Sequence, residues 1–459
     1  MDNDRHGYGT FTRRALLGAA AGGLSGAAFA RDAGSGASMF ASSDPLAPKT
    51  PHFAPRAKRV IFLFMNGGVS HVDSFDPKPA LRRDDGKPRG EQTLLGPQWS
   101  FSADSSCGTE VSDLFPALRK QMDEVCLVRS MVALHGDHFQ AALGMHTGST
   151  NFVRPSLGAW VSYALGTENP NLPPFVVIAP RMPYAGEQLW GSDFLPACHQ
   201  GVRIVPGDEP VPNLIPRLAP ELQASELDLL ERTNRRHLEA RGGDAVLAAR
   251  MRSWRIAQGM QVEAPEVFDL GRESDATLEL YGLKRGDTKS FAWQCLVARR
   301  LVERGVRFVE LMDVGASNNW DAHGNMASHG RLAKAVDAPV AGLLADLRQR
   351  GLLDETLVVW TTEFGRSPHA DKKNPKGRGH HRNAYSSWLA GAGVRSGTVY
   401  GESDEHGYEV AAGRVDTHDF HATLLHLLGL DHERLTYRHA GRDYRLTDVH
   451  GRVIRELLA

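Results

Sequence analysis

Cysteine is scarce in this 459-residue chain: Cys107, Cys126, Cys198 and Cys295 are the only four, and no two form a Cys-x-x-Cys pair. That excludes a zinc ribbon, a cysteine-ligated cluster and a disulfide-dense scaffold, leaving room for one or two disulfides at most. An excess of either charge is also lacking. Lys and Arg number 53 against 54 Asp and Glu, a formal net charge of -1, so no global field draws the chain onto nucleic acid or anionic lipid. The mature part holds no internal repeat, no low-complexity tract and no apolar run long enough to span a bilayer. With 41% hydrophobic and 23% charged residues, disorder and collagen are excluded and one large domain or two modest ones are expected. Histidine is the residue in plenty. There are 20, of which 12 lie at or beyond His323, and histidine both ligates metals and moves protons near neutral pH.

The first thirty residues read as an address. Thr12-Arg13-Arg14 stands before the small, apolar run Ala15–Phe29, and Ala28-Phe29-Ala30 supplies a small-x-small cleavage site. This is the pattern of a twin-arginine signal peptide over residues 1–30, which predicts export to the periplasm or beyond. A Gly-, Ser- and Pro-rich stretch over 31–57 reads as a flexible leader. The twin-arginine route carries folded proteins, so a metal or cofactor loaded before export fits it.

Past the leader, short apolar runs alternate with helix-length patterns. Arg59–Met65, Glu124–Val128, Phe175–Ala179, Val306–Met312 and Leu357–Thr361 have the unbroken apolar character of buried parallel strands. Most are separated by enough chain for a crossover helix, which predicts an α/β doubly wound sheet over residues 58–459. Helical spacing over about 215–305 marks an insertion, and a helical cap is expected over about 415–459.

In open α/β sheets ligands collect beyond the carboxyl ends of the strands, so those loops are where chemistry is sought. After the first strand come Asn66, two glycines, Ser70, His71, Asp73 and Asp76, oxygen and nitrogen donors beside a candidate hydroxyl nucleophile. The same residues also make an ordinary structural loop, with Ser70 as a helix cap and the acids as turn formers. After the strand ending at Met312 stand Asp321 and His323, which close on one ion where the backbone is extended. The following strand end carries Glu363 and Arg366, a guanidinium suited to an anionic oxygen. Next, the polar segment 369–382 ends in His380-His381 and reads as a long functional loop.

The runs Gly67–Pro79, Arg154–Trp160, Ala298–Val309 and Thr362–Arg366, with Asp419–His432 and Gly441–Gly451 in the tail, resemble the bacterial family called domain of unknown function fifteen-oh-one. The likeness runs from about Lys58 to the end. It implies an alkaline-phosphatase/sulfatase-like α/β fold, a central mostly parallel sheet flanked by helices, and exported members. It also implies ions at the carboxyl edge of the sheet. By that resemblance Asn66 stands where a first acid would be, Asp321 and His323 match the middle pair, Glu363-Phe364 takes the place of an Asp-His dipeptide, and His380 or His381 matches the last histidine. Asp73 is a further oxygen donor. Asn66 lacks the charge and Phe364 cannot ligate, so one divalent ion (zinc, calcium or manganese) is expected and not two.

The nucleophile stays open at this stage. Ser70 is one choice, with His71 or His138 as proton partner; water on the ion is another, with Arg366 stabilising charge on the transferred group, and Asp137-His138 is alternatively read as binding the ion or substrate. Two functions remain in view. One is an exported metal-dependent hydrolase of a phosphate or sulfate ester, on a small-molecule or carbohydrate substrate. The other is a catalytically weak sulfatase-like protein that binds or assembles with another exported protein.

Overall fold

An unbroken apolar run can bury both of its faces, and Arg59–Met65 does so as strand β1 at the centre of the sheet. The computed structural model describes residues 44–216, 218–315 and 319–459; the expected signal peptide and the first part of the leader lie outside these. Further strands of the same sheet are β2 (Val125–Val132), β3 (Phe175–Ile178), β4 (Val202–Ile204), β5 (Phe308–Asp313) and β6 (Thr356–Thr361). A hairpin of β7 (Gly365–Ala370) and β8 (Arg378–His381) follows, and then β9 (Tyr385–Ala390), β10 (Thr398–Tyr400) and β11 (Val415–Asp416). All five expected strands are present.

The nine-stranded sheet runs β10-β2-β9-β6-β1-β5-β3-β4, with β11 also paired to β2. Every pairing is parallel except those of β9, which is antiparallel to β6 and to β2. Side chains alternate across a strand. Ile61, Leu63 and Met65 therefore enter one buried cluster while Val60, Phe62 and Phe64 enter the other.

Helices cover both faces. On one lie α1 (His138–Thr147), α2 (Leu157–Leu165) and α7 (Thr417–Leu427); against the other pack α5 (Phe291–Glu303) and α6 (Ser328–Gln349). The expected helical insertion carries α5 and, before it, the long hairpin of α3 (Pro220–Ala240) and α4 (Ala245–Phe268). The architecture is a mixed, mostly parallel sheet between helical layers, as expected.

Three local expectations need correction. The leader was expected to be flexible to residue 57, but from Asp44 it is tied to the body. Leu46 is buried, Lys49 N bonds Leu165 O at 3.0 Å, and Arg56 N bonds Leu427 O at 2.9 Å. The cap over 415–459 contains one α-helix, α7, followed by a small hairpin over 437–444 and a single helical turn at 455–457. The polar segment 369–382 is not one continuous loop: residues 369–370 and 378–381 belong to the strands of the β7–β8 hairpin, and 371–377 connect them. All four cysteines are free thiols. Among the described residues no helix is long and apolar enough to cross a membrane.

Candidate metal centre

Gly67 and Gly68 end β1 with φ of +119° and +82°, conformations that side chains rarely adopt. A Cβ on Gly67 would stand 2.7 Å from the backbone nitrogens of Trp320 and Asp321. The bare glycine therefore lets the loop after β5 lie directly against the end of β1, and Trp320 N bonds Asn66 O at 3.3 Å. This contact carries Asp321 to the carboxyl edge of the sheet.

Three histidines surround that carboxylate. His138, first residue of α1, places Nε2 3.4 Å from Asp321 Oδ2; His323 Nε2 and His380 Nε2 lie 3.2 and 3.5 Å from Oδ1. Each ring is fixed from behind through Nδ1. His138 Nδ1 donates to Glu363 Oε1 at 2.6 Å, His380 Nδ1 to the Gly136 carbonyl at 2.8 Å and His323 Nδ1 to Asp371 Oδ2 at 2.9 Å. A carbonyl or carboxylate can only accept, so the proton sits on Nδ1 and the Nε2 lone pair is turned toward the common point.

His138 Nε2 and His380 Nε2 are buried and make no hydrogen bond among the described residues, and both face the Asp321 carboxylate, whose Oδ1 is paired with Arg366. Orphaned buried donor atoms that converge call for a further partner. One ligand atom from each of His138, Asp321 and His380 can be chosen so that all three lie within 4.8 Å of one another. Two ligands about 2.05 Å from a tetrahedral zinc are separated by roughly 3.3 Å, close to the spacings found here. The donor set fits a divalent ion.

Charge is arranged to keep the carboxylate ionised. Burial would raise the Asp321 pKa, but His138, His380 and the Arg366 guanidinium outweigh it and hold it well below the usual range. Burial alone would lower His138; Asp321 and Glu363 together raise it. Arg366, on β7 and wholly buried, grips Asp321 Oδ1 at 2.6 Å and donates to the carbonyls of Gly67 and Gly68. It faces His380 across the hairpin register.

The structure brings His138, Asp321, His323, Glu363, Arg366 and His380 together. Glu363 was expected as a ligand, yet both of its oxygens are engaged: Oε1 accepts from Gly67 N at 2.8 Å and from His138, and Oε2 from the Thr362 hydroxyl at 3.0 Å. It orients His138. Arg366, expected to stabilise the transferred group, is likewise committed within the chain. Asn66, at the end of β1, is buried with its Oδ1 unpartnered.

Four candidates lie elsewhere. The Ser70 hydroxyl donates to Asp73 Oδ2 at 2.6 Å and is fully buried, so it is no free nucleophile. Asp73 is no ligand either, since it forms a buried ion pair with Arg378 at 2.7 Å. His71 Nε2 donates to Gly407 O, and burial pushes its pKa down to about 3. His381, adjacent to His380 on an extended strand, faces the other way and bonds Tyr408 O at 2.6 Å. Of the two paired histidines only His380 reaches the centre.

Sequence reasoning passed over Tyr184 and Asp371. The Tyr184 ring stacks on His138 with centroids 4.2 Å apart and planes 13° from parallel. Burial, with Asp321 and Glu363 nearby, pushes its phenol up to about 12. Phe364, dismissed as unable to ligate, packs its ring 4.8 Å from His138 and 4.6 Å from His380 and walls the site. Nothing in the surrounding sequence marks Tyr184, whereas Asp371 belongs to the polar segment already singled out.

Comparison with known proteins places these observations in a family. The family model described as Protein of unknown function (DUF1501) matches residues 57–458. No curated protein matches the chain. Solved structures with similar chain courses include a lipoteichoic acid synthase from Listeria monocytogenes, 9% identical over 87% of this chain and 78% of that one, with a TM-score of 0.40. They also include the PsFucS1 sulfatase from Pseudoalteromonas sp. at 13% identity, covering 82% and 68%, TM-score 0.36. A third is a phosphonate monoester hydrolase from Silicibacter pomeroyi at 11%, covering 75% and 71%, TM-score 0.35. Likeness this distant assigns no chemistry to the chain.

Proposed function

The chain belongs to the DUF1501 family, and from that premise we propose that it is an exported, metal-dependent hydrolase of phosphate or sulfate esters. The observation that carries the reading is the convergence of two orphaned imidazole nitrogens, His138 Nε2 and His380 Nε2, on the Asp321 carboxylate at the carboxyl edge of the sheet. These residues, with His323 at the rim, would hold one divalent ion. Their nitrogen-rich donor set suits zinc better than manganese or calcium, which prefer oxygen ligands. Bound there, the ion supplies Lewis-acid polarisation of a phosphoryl or sulfuryl oxygen.

The chain's own groups have separate tasks. Glu363 fixes the tautomer and direction of His138, and Asp371 does the same for His323. Arg366 holds Asp321 in place. Tyr184 and Phe364 cover His138 with apolar ring surface, lowering the local dielectric and keeping bulk water from that side. The substrate is a small-molecule or carbohydrate ester. Export by the twin-arginine route, to the periplasm or beyond, rests on Arg13-Arg14 and the apolar run behind them.

A second reading has its own support. The Ser70 hydroxyl is committed to Asp73 and the Arg366 guanidinium to Asp321 and two carbonyls, so neither of these two candidates offers a free group to a substrate. That favours a catalytically weak protein that holds an ion and works beside another exported protein. Metal content by plasma mass spectrometry, on protein purified without chelator, together with turnover of aryl phosphates and sulfates, tests the choice. The hydrolase reading expects about one equivalent of ion and turnover that both disappear in His380→Ala and Asp321→Asn. Bound ion with no turnover of either ester class moves the function to the second reading; no ion in folded protein sinks the metal centre itself.

A further inference from the structure

Helix α3 projects as the outer arm of the α3–α4 hairpin and is amphipathic on two sides. Its inner side, including Leu227, Glu231 and Leu238, is half-buried against α4. There Arg255 Nε donates to Glu231 Oε2 at 3.0 Å and Gln223 Nε2 to Gln261 Oε1 at 2.6 Å. On the far side stand Leu222, Glu226, Leu229, Thr233, Arg236 and Ala240, all exposed. Leu222 and Leu229 keep 55% and 68% of their surface open to solvent. Their spacing alternates four and three residues without a break, the repeat of a coiled-coil seam, along a helix of 21 residues that is about 30 Å long.

We propose that two copies of this chain pair through this seam, antiparallel, about a two-fold axis beside residue 231. The seam is its own complement in that arrangement. Leu222 meets Ala240 of the second copy, Leu229 meets Thr233, and Glu226 meets Arg236, each contact occurring twice, as an isologous interface requires. Parallel pairing would instead set glutamate on glutamate and arginine on arginine, so the charges fix the direction.

The two seam charges are also unclaimed within the chain. Asp228 pairs with Arg232 and Glu231 with Arg235, while Glu226 and Arg236 form no ion pair among the described residues. A second copy supplies the missing partner of each. An anionic membrane surface does not fit, because α3 carries five acidic residues against three arginines.

Sedimentation velocity of the full mature chain across a concentration series tests the proposal. A concentration-dependent dimer is expected. Glu226→Arg and Arg236→Glu, each alone, should raise the dissociation constant by about tenfold or more, since each brings like charges together twice. Mixing the two single variants should restore a heterodimer, because every seam charge then meets its opposite; the double reversal should restore the homodimer. Both positions are exposed and remote from the metal centre, and unchanged circular dichroism confirms that the fold persists. A chain that stays monomeric throughout overturns the proposal. So does a dimer indifferent to the reversals, or a monomer that co-sediments with phosphatidylglycerol vesicles.

Discussion

Asp73 and Arg378 are both wholly buried and bonded at 2.7 Å, with the Ser70 hydroxyl and the Gln98 amide also on the carboxylate. Burial alone would raise the Asp73 pKa; Arg378 and Ser70 outweigh it and pull it below the usual range. Removing one partner of such a pair strands the other charge in the interior, at a cost of about 3–5 kcal/mol. Asp73→Asn should therefore lower the unfolding free energy by that order in urea titrations while leaving the metal content unchanged. Loss of the ion with stability intact would instead make Asp73 a ligand. The depressed pKa also gives a direction in pH: the advantage of the native carboxylate over the substituted amide is complete above the unfolded value near 4 and is lost as pH falls through the lower folded value. Glu363→Gln probes the other kind of residue. The amide can still accept from His138 but carries no charge, so metal affinity should fall about 10–100-fold with little change in fold. Unchanged affinity by competitive chelator titration would show that Glu363 does not tune the site.

Elements bring these residues together through backbone contacts more than through side chains. Gly67 is the clearest case, because its φ of +119° and the 2.7 Å approach of the Trp320–Asp321 backbone leave no space for a methyl group. Gly67→Ala should displace the loop carrying Asp321, reducing metal content and lowering the melting temperature together. If alanine leaves both untouched, the close packing of β1 against that loop does not set the site. The same contact explains what was legible in the sequence. Buried parallel strands advertise themselves as unbroken apolar runs, so β1, β5 and β6 could be read directly, and with them the strand ends where Asp321 and Glu363 stand. The β7–β8 hairpin could not be read that way. Its residues are polar because Arg366, Arg378 and His380 are drawn inward to partners supplied from distant parts of the chain. Adjacent side chains on β8 point to opposite sides, which is why His380 and His381 were indistinguishable until the strand was seen. Ser70 and Asp73 looked like site residues for a related reason, since polar groups serving a buried ion pair and polar groups serving an ion are the same residue types.

Across the whole molecule, buried neutral histidines set the response to acid. Burial pushes His71, His199, His329 and His421 each down to about 3. They sit in three places: His199 bonds Ser162 of α2, His421 bonds the Met145 carbonyl of α1, and His329 accepts from the amide of Ser70, next to His71. Unfolded, each regains a pKa near 6.5. Below that pH the unfolded chain binds protons that the fold refuses, so stability is complete above about 6.5 and falls as pH drops toward 3. At pH 5 each such group withdraws about 2 kcal/mol. His138, raised by its two carboxylates, acts in the opposite sense but is one group against four. The unfolding free energy measured in urea should therefore drop steeply between pH 7 and pH 5, before the paired carboxylates begin to protonate. His421→Gln isolates one contribution, since its amide can still donate to the Met145 carbonyl but does not titrate. It should cost some stability at pH 7 yet lose about 2 kcal/mol less than the parent on going to pH 5. Running both proteins with chelator present removes any share due to release of an ion, and parallel pH slopes for the two would show that His421 is not held neutral by the fold.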